Sequence, residues 1–388
     1  MSETIPFGKP FIAGPELENI ARAVALGHLS GDGHFTELCQ QWLVEHLGCR
    51  HALLTNSCTA ALELAAIVSG VAEGDEVIMP SFTFVSTANA FVLRGAHPVF
   101  VDIRPDTLNL DEALVEAALS ERTKAIVPVH YAGVPCEMDR LKTLAAPRGI
   151  RVIEDAAHGI LATYKGQSLG AIGELGCLSF HETKNITCGE GGALLFRDPD
   201  FIAQAEIVRE KGTNRKSFFR GEVDKYSWVD IGSSYLPGEL TAAFLYAQLC
   251  ASDRIVARRR TLTAAYRELL APLERQGLFR LPGDNAHGTD AAHIFYLLLD
   301  TEAQRDALRT HLLAESIHAV IHYVPLHSSK AGQRFGRSAG SMDVTDRVAG
   351  TLLRLPLFYE MSVAQLDRVV ESIGRFFSLG TRTRAPHR

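Results

Sequence analysis

The chain contains no C-x-x-C pair, no apolar run of membrane-spanning length and no G-x-G-x-x-G loop. Each absence narrows what it can do. Its seven cysteines, Cys39, Cys49, Cys58, Cys136, Cys177, Cys188 and Cys250, are odd in number and scattered. Such spacing points to free thiols in a reducing compartment, so a cytoplasmic protein is expected. Without about 18 uninterrupted apolar residues no membrane span is expected. Met1–Pro10 lacks a basic region followed by an apolar run, so no secretory signal is expected either. A net charge of -6 argues against a nucleic-acid partner. No internal repeat or low-complexity segment is present. The final stretch, Gly380–Arg388, is basic and Pro-ended and reads as a frayed tail.

What is there is an ordinary globular composition, with 46% hydrophobic and 22% charged residues over 388 positions. That length predicts two domains, or three, with a core large enough to need neither disulfides nor metals. Short, nearly continuous apolar runs predict strands at His51–Thr55, Glu76–Pro80, Pro98–Asp102, Ala125–His130, Arg151–Asp155, Gly176–Phe180 and Ala193–Phe196. Helical patterns between several of them predict right-handed crossovers and a mostly parallel seven-stranded sheet. Asp111 is placed to cap a helix over Asp111–Leu119. Glu239–Gln276 reads as one long helical stretch kinked at Pro272. Then Ala292–Leu299, Thr301–Glu315, His318–Tyr323 and Ala364–Phe377 read strand, helix, strand, helix: a smaller α/β unit. The expected division is a large domain over 1–250 and a small one over 251–388. Lys211–Tyr235 is polar and aromatic without a period, and a long irregular segment in a compact protein is often functional.

The chemistry centres on two residues. Asp155 closes the run Val152-Ile153-Glu154-Asp155, and about thirty residues later Lys184 lies in Ser179-Phe180-His181-Glu182-Thr183-Lys184-Asn185, which leads into Gly189-Glu190-Gly191-Gly192. A carboxylate at a strand end followed by a lysine in a Ser- and Gly-rich turn is what pyridoxal phosphate (PLP) chemistry requires. The lysine forms the Schiff base, and the carboxylate keeps the pyridine nitrogen protonated, so that the ring acts as an electron sink. A free lysine, with a pKa of ~10.4, is a poor nucleophile at neutral pH until desolvation corrects it. Asp155 read alone is equally well a helix N-cap. Asn56-Ser57-Cys58-Thr59 follows the first strand and opens an apolar helix, which makes either a phosphate cradle or a plain cap. Ser179 could add a hydroxyl to the same phosphate. Phe84, in Pro80-Ser81-Phe82-Thr83-Phe84-Val85-Ser86-Thr87, could stack on a pyridine ring or belong to the core. The Gly189–Gly192 turn precedes a strand rather than following one, which excludes a dinucleotide site. His322-Tyr323-Val324-Pro325-Leu326-His327 has no third ligand nearby, so a substrate-facing loop is preferred to a metal site.

The Asp155–His158, Ser179–Asn185 and Gly189–Gly192 motifs together resemble the DegT/DnrJ/EryC1/StrS family of sugar aminotransferases, over a span from Gly14 to Pro356. The resemblance implies a PLP fold-type I (aspartate aminotransferase-like) architecture and transfer of an amino group from L-glutamate to a nucleotide-linked keto-sugar. It makes Lys184 the Schiff-base lysine and Asp155 the pyridinium partner. It puts His158 near the cofactor's phenolic oxygen, Cys58, Thr59 and Ser179 at the phosphate, and Phe84 on the ring. The Gly232–Tyr235 segment, with Ser234, would reach a neighbouring subunit's site, implying a homodimer with shared active sites. Gly31–Gly33, Pro80–Phe91, Pro128–Gly133, Arg209–Arg215, Phe218–Gly221 and Asp230–Tyr235 are similar to the branch of the family that aminates the dTDP-keto-sugar dTDP-4-keto-6-deoxyglucose for enterobacterial common antigen, a lipopolysaccharide-related product. Many family members carry Asn where Ser234 stands and Arg where Leu236 stands. The implied substrate contacts are Lys211, Arg215, Arg220, Tyr323 and His327. On composition alone, Lys211, Arg215, Arg220 and Lys225 read as a solvated basic stretch sooner than as a diphosphate site. A gluco epimer, a 3-amino sugar and a non-catalytic PLP-binding regulator remain as alternatives. Dehydratase relatives replace the lysine with His, and Lys184 argues against that route.

Overall fold

The computed structural model describes residues 3–283 and 287–382. Its large sheet contains β1 (His51–Thr55), β2 (Glu76–Pro80), β3 (His97–Val101), β4 (Thr123–Ile126), β5 (Arg151–Asp155), β6 (Leu175–Ser179) and β7 (Gly192–Phe196). A pair in the C-terminal part follows, β8 (Tyr296–Leu298) and β10 (Leu352–Arg354), with the two-residue β9 (Arg337–Ser338) between them in sequence. β9 does not join that pair. It adds in parallel to β3 and makes the large sheet eight-stranded, in the order β1-β7-β6-β5-β4-β2-β3-β9. Only β7 runs against its neighbours, pairing antiparallel with both β1 and β6. The seven anticipated strands are therefore all present. The eighth is too short for any periodicity to show.

Alternate residues of each strand enter two cores, one on each face. Leu54, Ile78, Val101, Val152 and Leu195 lie in one, and Leu53, Val77, Phe100, Ile153 and Leu194 in the other. Burial on both faces explains why these strands read as unbroken apolar runs. Truncating one of these side chains to Ala costs about 2–5 kcal/mol. A third core joins Leu262, Tyr266, Leu297, Leu308, Leu353 and Ile373 with Ile5 near the N-terminus.

Four expectations need correction. The long helical stretch breaks at Ala251, between helices Glu239–Cys250 and Ser252–Glu274, and not at Pro272. Pro272 sits in the last turn of the second helix, where its missing N–H costs a single bond. His318–Tyr323 forms no strand and contributes one isolated bridge, Val320 to Arg354. The last helix runs Val363–Arg382, so it absorbs the first three residues of the anticipated tail, and the remainder of that tail lies outside the described residues. Lys211–Tyr235 is not wholly irregular, since it carries the short helix Arg215–Phe219 and bridges Glu210–Ser234 and Thr213–Trp228. Among the described residues no helix is long and apolar enough to cross a membrane.

Candidate active site

Parallel strands bring their carboxyl ends to one edge of the sheet, and ligands bind beyond that edge. Here β1 leads into Ser57, Cys58 and Thr59, β2 into Thr83, Phe84, Ser86 and Thr87, β5 ends at Asp155, and β6 ends at Ser179. All of these residues line a single cavity of about 420 Å³, together with His158 and Lys184. The cavity also takes in Phe7, His293, His322, Tyr323 and Arg354 from distant parts of the chain.

Asp155 is buried and held at both carboxylate oxygens. Thr87 Oγ1 donates to Oδ2 at 2.7 Å, and Ala157 N–H donates to Oδ1 at 3.1 Å. The second bond is an Asx-type turn and no helix follows it, so the N-cap reading of Asp155 does not hold. Lys184 is partly buried, and desolvation brings its amine down to about 8; Cys58 and Asp155 oppose that fall and Arg354 adds to it. A far larger share of the amine is thus unprotonated near neutral pH than in an exposed lysine.

The helix Cys58–Val68 opens onto the cavity. Ser57 caps it by accepting the Ala60 N–H. The Cys58 and Thr59 side of the turn faces the cavity, with Thr59 Oγ1 and Ser86 Oγ 2.8 Å apart. Gly192 permits this approach, because a Cβ there would lie 2.4 Å from the Ser57 carbonyl. Free N–H groups at a helix start and two hydroxyls form a cradle for a phosphate. Phe84 lines the same cavity and is 58% exposed, an aromatic face available to a planar ring.

His158 Nδ1 accepts the Ala132 N–H at 3.3 Å, which puts the ring proton on Nε2. Burial holds His158 well below the usual histidine range, and Lys184, His322 and Arg354 push it further down, so it stays neutral. His293 lies beside it at 4.4 Å between centroids, the two rings tilted by 42°. Its Nδ1 donates to Asn185 Oδ1 at 2.9 Å, while Asn185 Nδ2 donates to the Ala291 carbonyl at 2.6 Å. These bonds tie the residue after Lys184 to the segment that precedes β8.

Tyr323 lines the cavity, as anticipated, and His327 does not. Its Nδ1 lies 2.8 Å from Ser81 Oγ, and neither residue lines the cavity. His322 instead accepts from Arg354, so the two histidines of the H-x-x-x-x-H spacing serve different partners. Ser234, Lys211, Arg215 and Arg220 are also outside this chain's cavity. Ser234 accepts from Asn56 through its carbonyl. Lys211 and Arg215 pair with Glu210 at 3.1 and 3.3 Å, and Arg220 pairs with Glu206 at 3.0 Å and Glu222 at 2.7 Å. Sequence reasoning missed Thr87 as a partner of Asp155, and it missed Phe7, His293 and Arg354 altogether. Thr87 lies in the Pro80–Thr87 motif, in the first turn of the helix Val85–Val92 that follows β2. The other three carried no local signal, since only the tertiary fold brings them here.

A buried carboxylate, a lysine with a depressed pKa and a helix-start phosphate cradle, joined at the carboxyl edge of a mostly parallel sheet, define a PLP-dependent fold-type I enzyme. The chain belongs to the DegT/DnrJ/EryC1/StrS aminotransferase family, whose model matches residues 11–374. Solved structures agree. TlmJ, an aminotransferase from Streptoalloteichus hindustanus, is 29% identical with a TM-score of 0.89, covering 97% of this chain and 100% of that one. DesV from S. venezuelae is 33% identical with a TM-score of 0.87, covering 97% and 99%. Spr1654 from Streptococcus pneumoniae in its PLP form is 25% identical with a TM-score of 0.89, covering 97% and 99%. The protein is accordingly a sugar aminotransferase that depends on PLP.

Proposed function

We propose that the protein transfers the amino group of L-glutamate to the 4-keto carbon of dTDP-4-keto-6-deoxy-D-glucose, giving dTDP-4-amino-4,6-dideoxy-D-galactose and 2-oxoglutarate. The observation that carries the transamination is the convergence of Asp155 and Lys184 on one cavity. The choice of sugar rests on the motifs shared with that branch of the family, including Ser233-Ser234-Tyr235-Leu236.

The cofactor, when bound, supplies an electron sink that stabilises negative charge at the carbon losing its proton. Lys184 would hold it covalently, and its amine would be the base that carries the proton lost from the donor's α-carbon. Asp155, fixed by Thr87 and Ala157, holds the proton on the ring nitrogen. The Ser57–Thr59 turn, with Ser86 and Ser179, binds the phosphate. Neutral His158 would offer its Nε2–H to the ring's phenolic oxygen. Tyr323 and Phe84 line the wall against which the sugar and the ring lie.

The active unit is a homodimer in which Lys211–Tyr235 reaches the partner's cavity. Two features support this: the segment stands away from its own chain's cavity, and it exposes large apolar side chains, with Phe219 72% and Trp228 78% accessible. Such a patch on a soluble protein calls for a cover. Sedimentation should give a dimer at assay concentration, and a fully active monomer would contradict shared sites. The reaction itself is tested by turnover of dTDP-4-keto-6-deoxyglucose with glutamate, the C4 configuration of the product being read by NMR. An equatorial amine or a preference for a 3-keto sugar would replace the proposed substrate or product while leaving the aminotransferase class intact.

A further inference from the structure

Two neighbouring histidines in the cavity wall are locked in opposite tautomers. His158 Nδ1 accepts the Ala132 N–H at 3.3 Å, so its proton sits on Nε2. His293 is held the other way round. The Asn185 amide nitrogen donates to the Ala291 carbonyl at 2.6 Å, so the amide oxygen is the atom turned to His293 Nδ1, at 2.9 Å. An oxygen there requires a proton on Nδ1. Burial holds His293 well below the usual histidine range, and His158, Lys184, Arg259 and Arg354 push it further down. The ring is therefore neutral, and its Nε2 carries a bare lone pair. Nε2 meets no donor among the described residues, yet it keeps accessible surface, and the ring lines the main cavity. It also lines a second chamber of about 260 Å³, and Lys184 borders both spaces with it.

The backbone holds this ring in place. Ala292, just before it, has φ of 48°, a left-handed conformation that alanine adopts at a cost. Three hydrogen bonds secure the strained turn. Asp290 Oδ1 accepts the Ala292 N–H at 2.7 Å, and Arg259 donates to the carbonyls of Ala292 and His293 at 2.9 and 2.8 Å. His293 itself is 5% exposed. A polar atom so deeply placed without a partner is costly until a ligand brings an O–H or N–H to it.

We infer that His293 sets specificity for the amino-accepting sugar, its Nε2 accepting the hydroxyl that flanks the keto carbon. The inference rests on the sugar-aminotransferase reading and deepens it. The cofactor's ring N–H belongs to Asp155, and its phenolic and phosphate oxygens need donors. Glutamate brings two carboxylates, which also need donors and find none at a bare lone pair. Its amine must shed its protons to react. The keto-sugar brings hydroxyls. Those of the nucleotide lie across the sugar ring from a 4-keto carbon, whereas the flanking hydroxyl arrives beside Lys184 with the carbonyl. Asn185, the next residue in the chain, fixes His293 at that lysine's side.

The test separates the two ring nitrogens. His293→Asn puts an amide nitrogen where Nδ1 stands and keeps the bond to Asn185, but removes the acceptor. His293→Gln puts an amide oxygen where Nε2 stands and gives up the bond to Asn185. His293→Asn should lower kcat/KM for dTDP-4-keto-6-deoxyglucose about 10- to 100-fold, with the glutamate half-reaction within about threefold of wild type. His293→Gln should recover most of that loss. Calorimetry on the holoenzyme should show the aminated dTDP-sugar bound about 10-fold more weakly by His293→Asn. The wild type should handle the analogue without the C3 hydroxyl as poorly as His293→Asn handles the full sugar, and that variant should not distinguish the two. The wild-type comparison decides the question even if neither variant folds. Equal wild-type handling of both sugars would overturn the inference. So would a greater loss in His293→Gln than in His293→Asn, which would make the tether to Asn185 the whole role of the ring. An equal loss in both half-reactions would also overturn it, assigning the ring to Lys184 or the cofactor. If another keto-sugar proves to be the substrate, the proposed reaction fails, and the same comparison on that sugar's flanking hydroxyl still decides His293.

Discussion

Thr87 Oγ1 donates a 2.7 Å hydrogen bond to Asp155 Oδ2 across 68 residues of sequence. Having given its proton to Asp155, Thr87 accepts one from Thr83 Oγ1 at 2.8 Å. The buried relay Thr83–Thr87–Asp155 thus fixes the orientation of the carboxylate. Thr87→Val keeps the shape of the side chain and removes the donor. Proton removal from glutamate, followed in a single half-reaction, should slow about 10-fold with PLP still bound. Asp155→Asn should slow it far more. Wild-type rates in Thr87→Val would mean that the Ala157 N–H alone orients the acid.

Lys184 has a pKa of about 8 in the folded protein, below its value of ~10.4 when unfolded. Capture of PLP by cofactor-free protein should therefore speed up through a midpoint near pH 8 and level off above it, as followed by visible absorption. The same shift has a sign in stability. Between about pH 8 and ~10.4 the unfolded chain binds more protons at this site, so this group's contribution to stability rises with pH across that window. Below it, the contribution is at its least favourable. Lys184→Ala should remove the absorption band and lower turnover by several orders of magnitude. Near wild-type activity in that variant would reject the mechanism.

Gly192→Ala would push a methyl against the Ser57 carbonyl and displace the start of helix Cys58–Val68. PLP affinity should fall by roughly 10-fold or more, because the cradle depends on the position of those N–H groups. The phosphate-free analogue pyridoxal should lose much less. An equal loss for both would place the damage at the ring and not at the phosphate.

Glu239 caps a helix far from it in sequence. Its carboxylate accepts from the N–H groups of Gly33, Phe35 and Thr36, at the start of His34–Leu47. Glu239→Ala leaves those donors buried without a partner and should cost about 1–3 kcal/mol, read by chemical denaturation. Unchanged stability would show that water replaces the carboxylate.

The sequence by itself determined the sheet strands, the order of the motifs, and the identity of the acid and the lysine. These follow from local physics. Strands buried on both faces are mostly apolar, as Val152–Ile153 and Leu194–Leu195 are, and the acids Glu154 and Asp155 end such a run. The DegT-type motifs are likewise contiguous, so they survive reading in one dimension. Tertiary structure decided what depends on distance. Thr87 became the partner of Asp155 because β2 and β5 end on the same edge of the sheet. Lys211, Arg215 and Arg220 stand outside this chain's cavity, where they pair with Glu210, Glu206 and Glu222. Arg354 entered the site because β10 crosses beside Lys184. No residue adjacent to it in the chain signals that position, since burial is a property of three-dimensional neighbours.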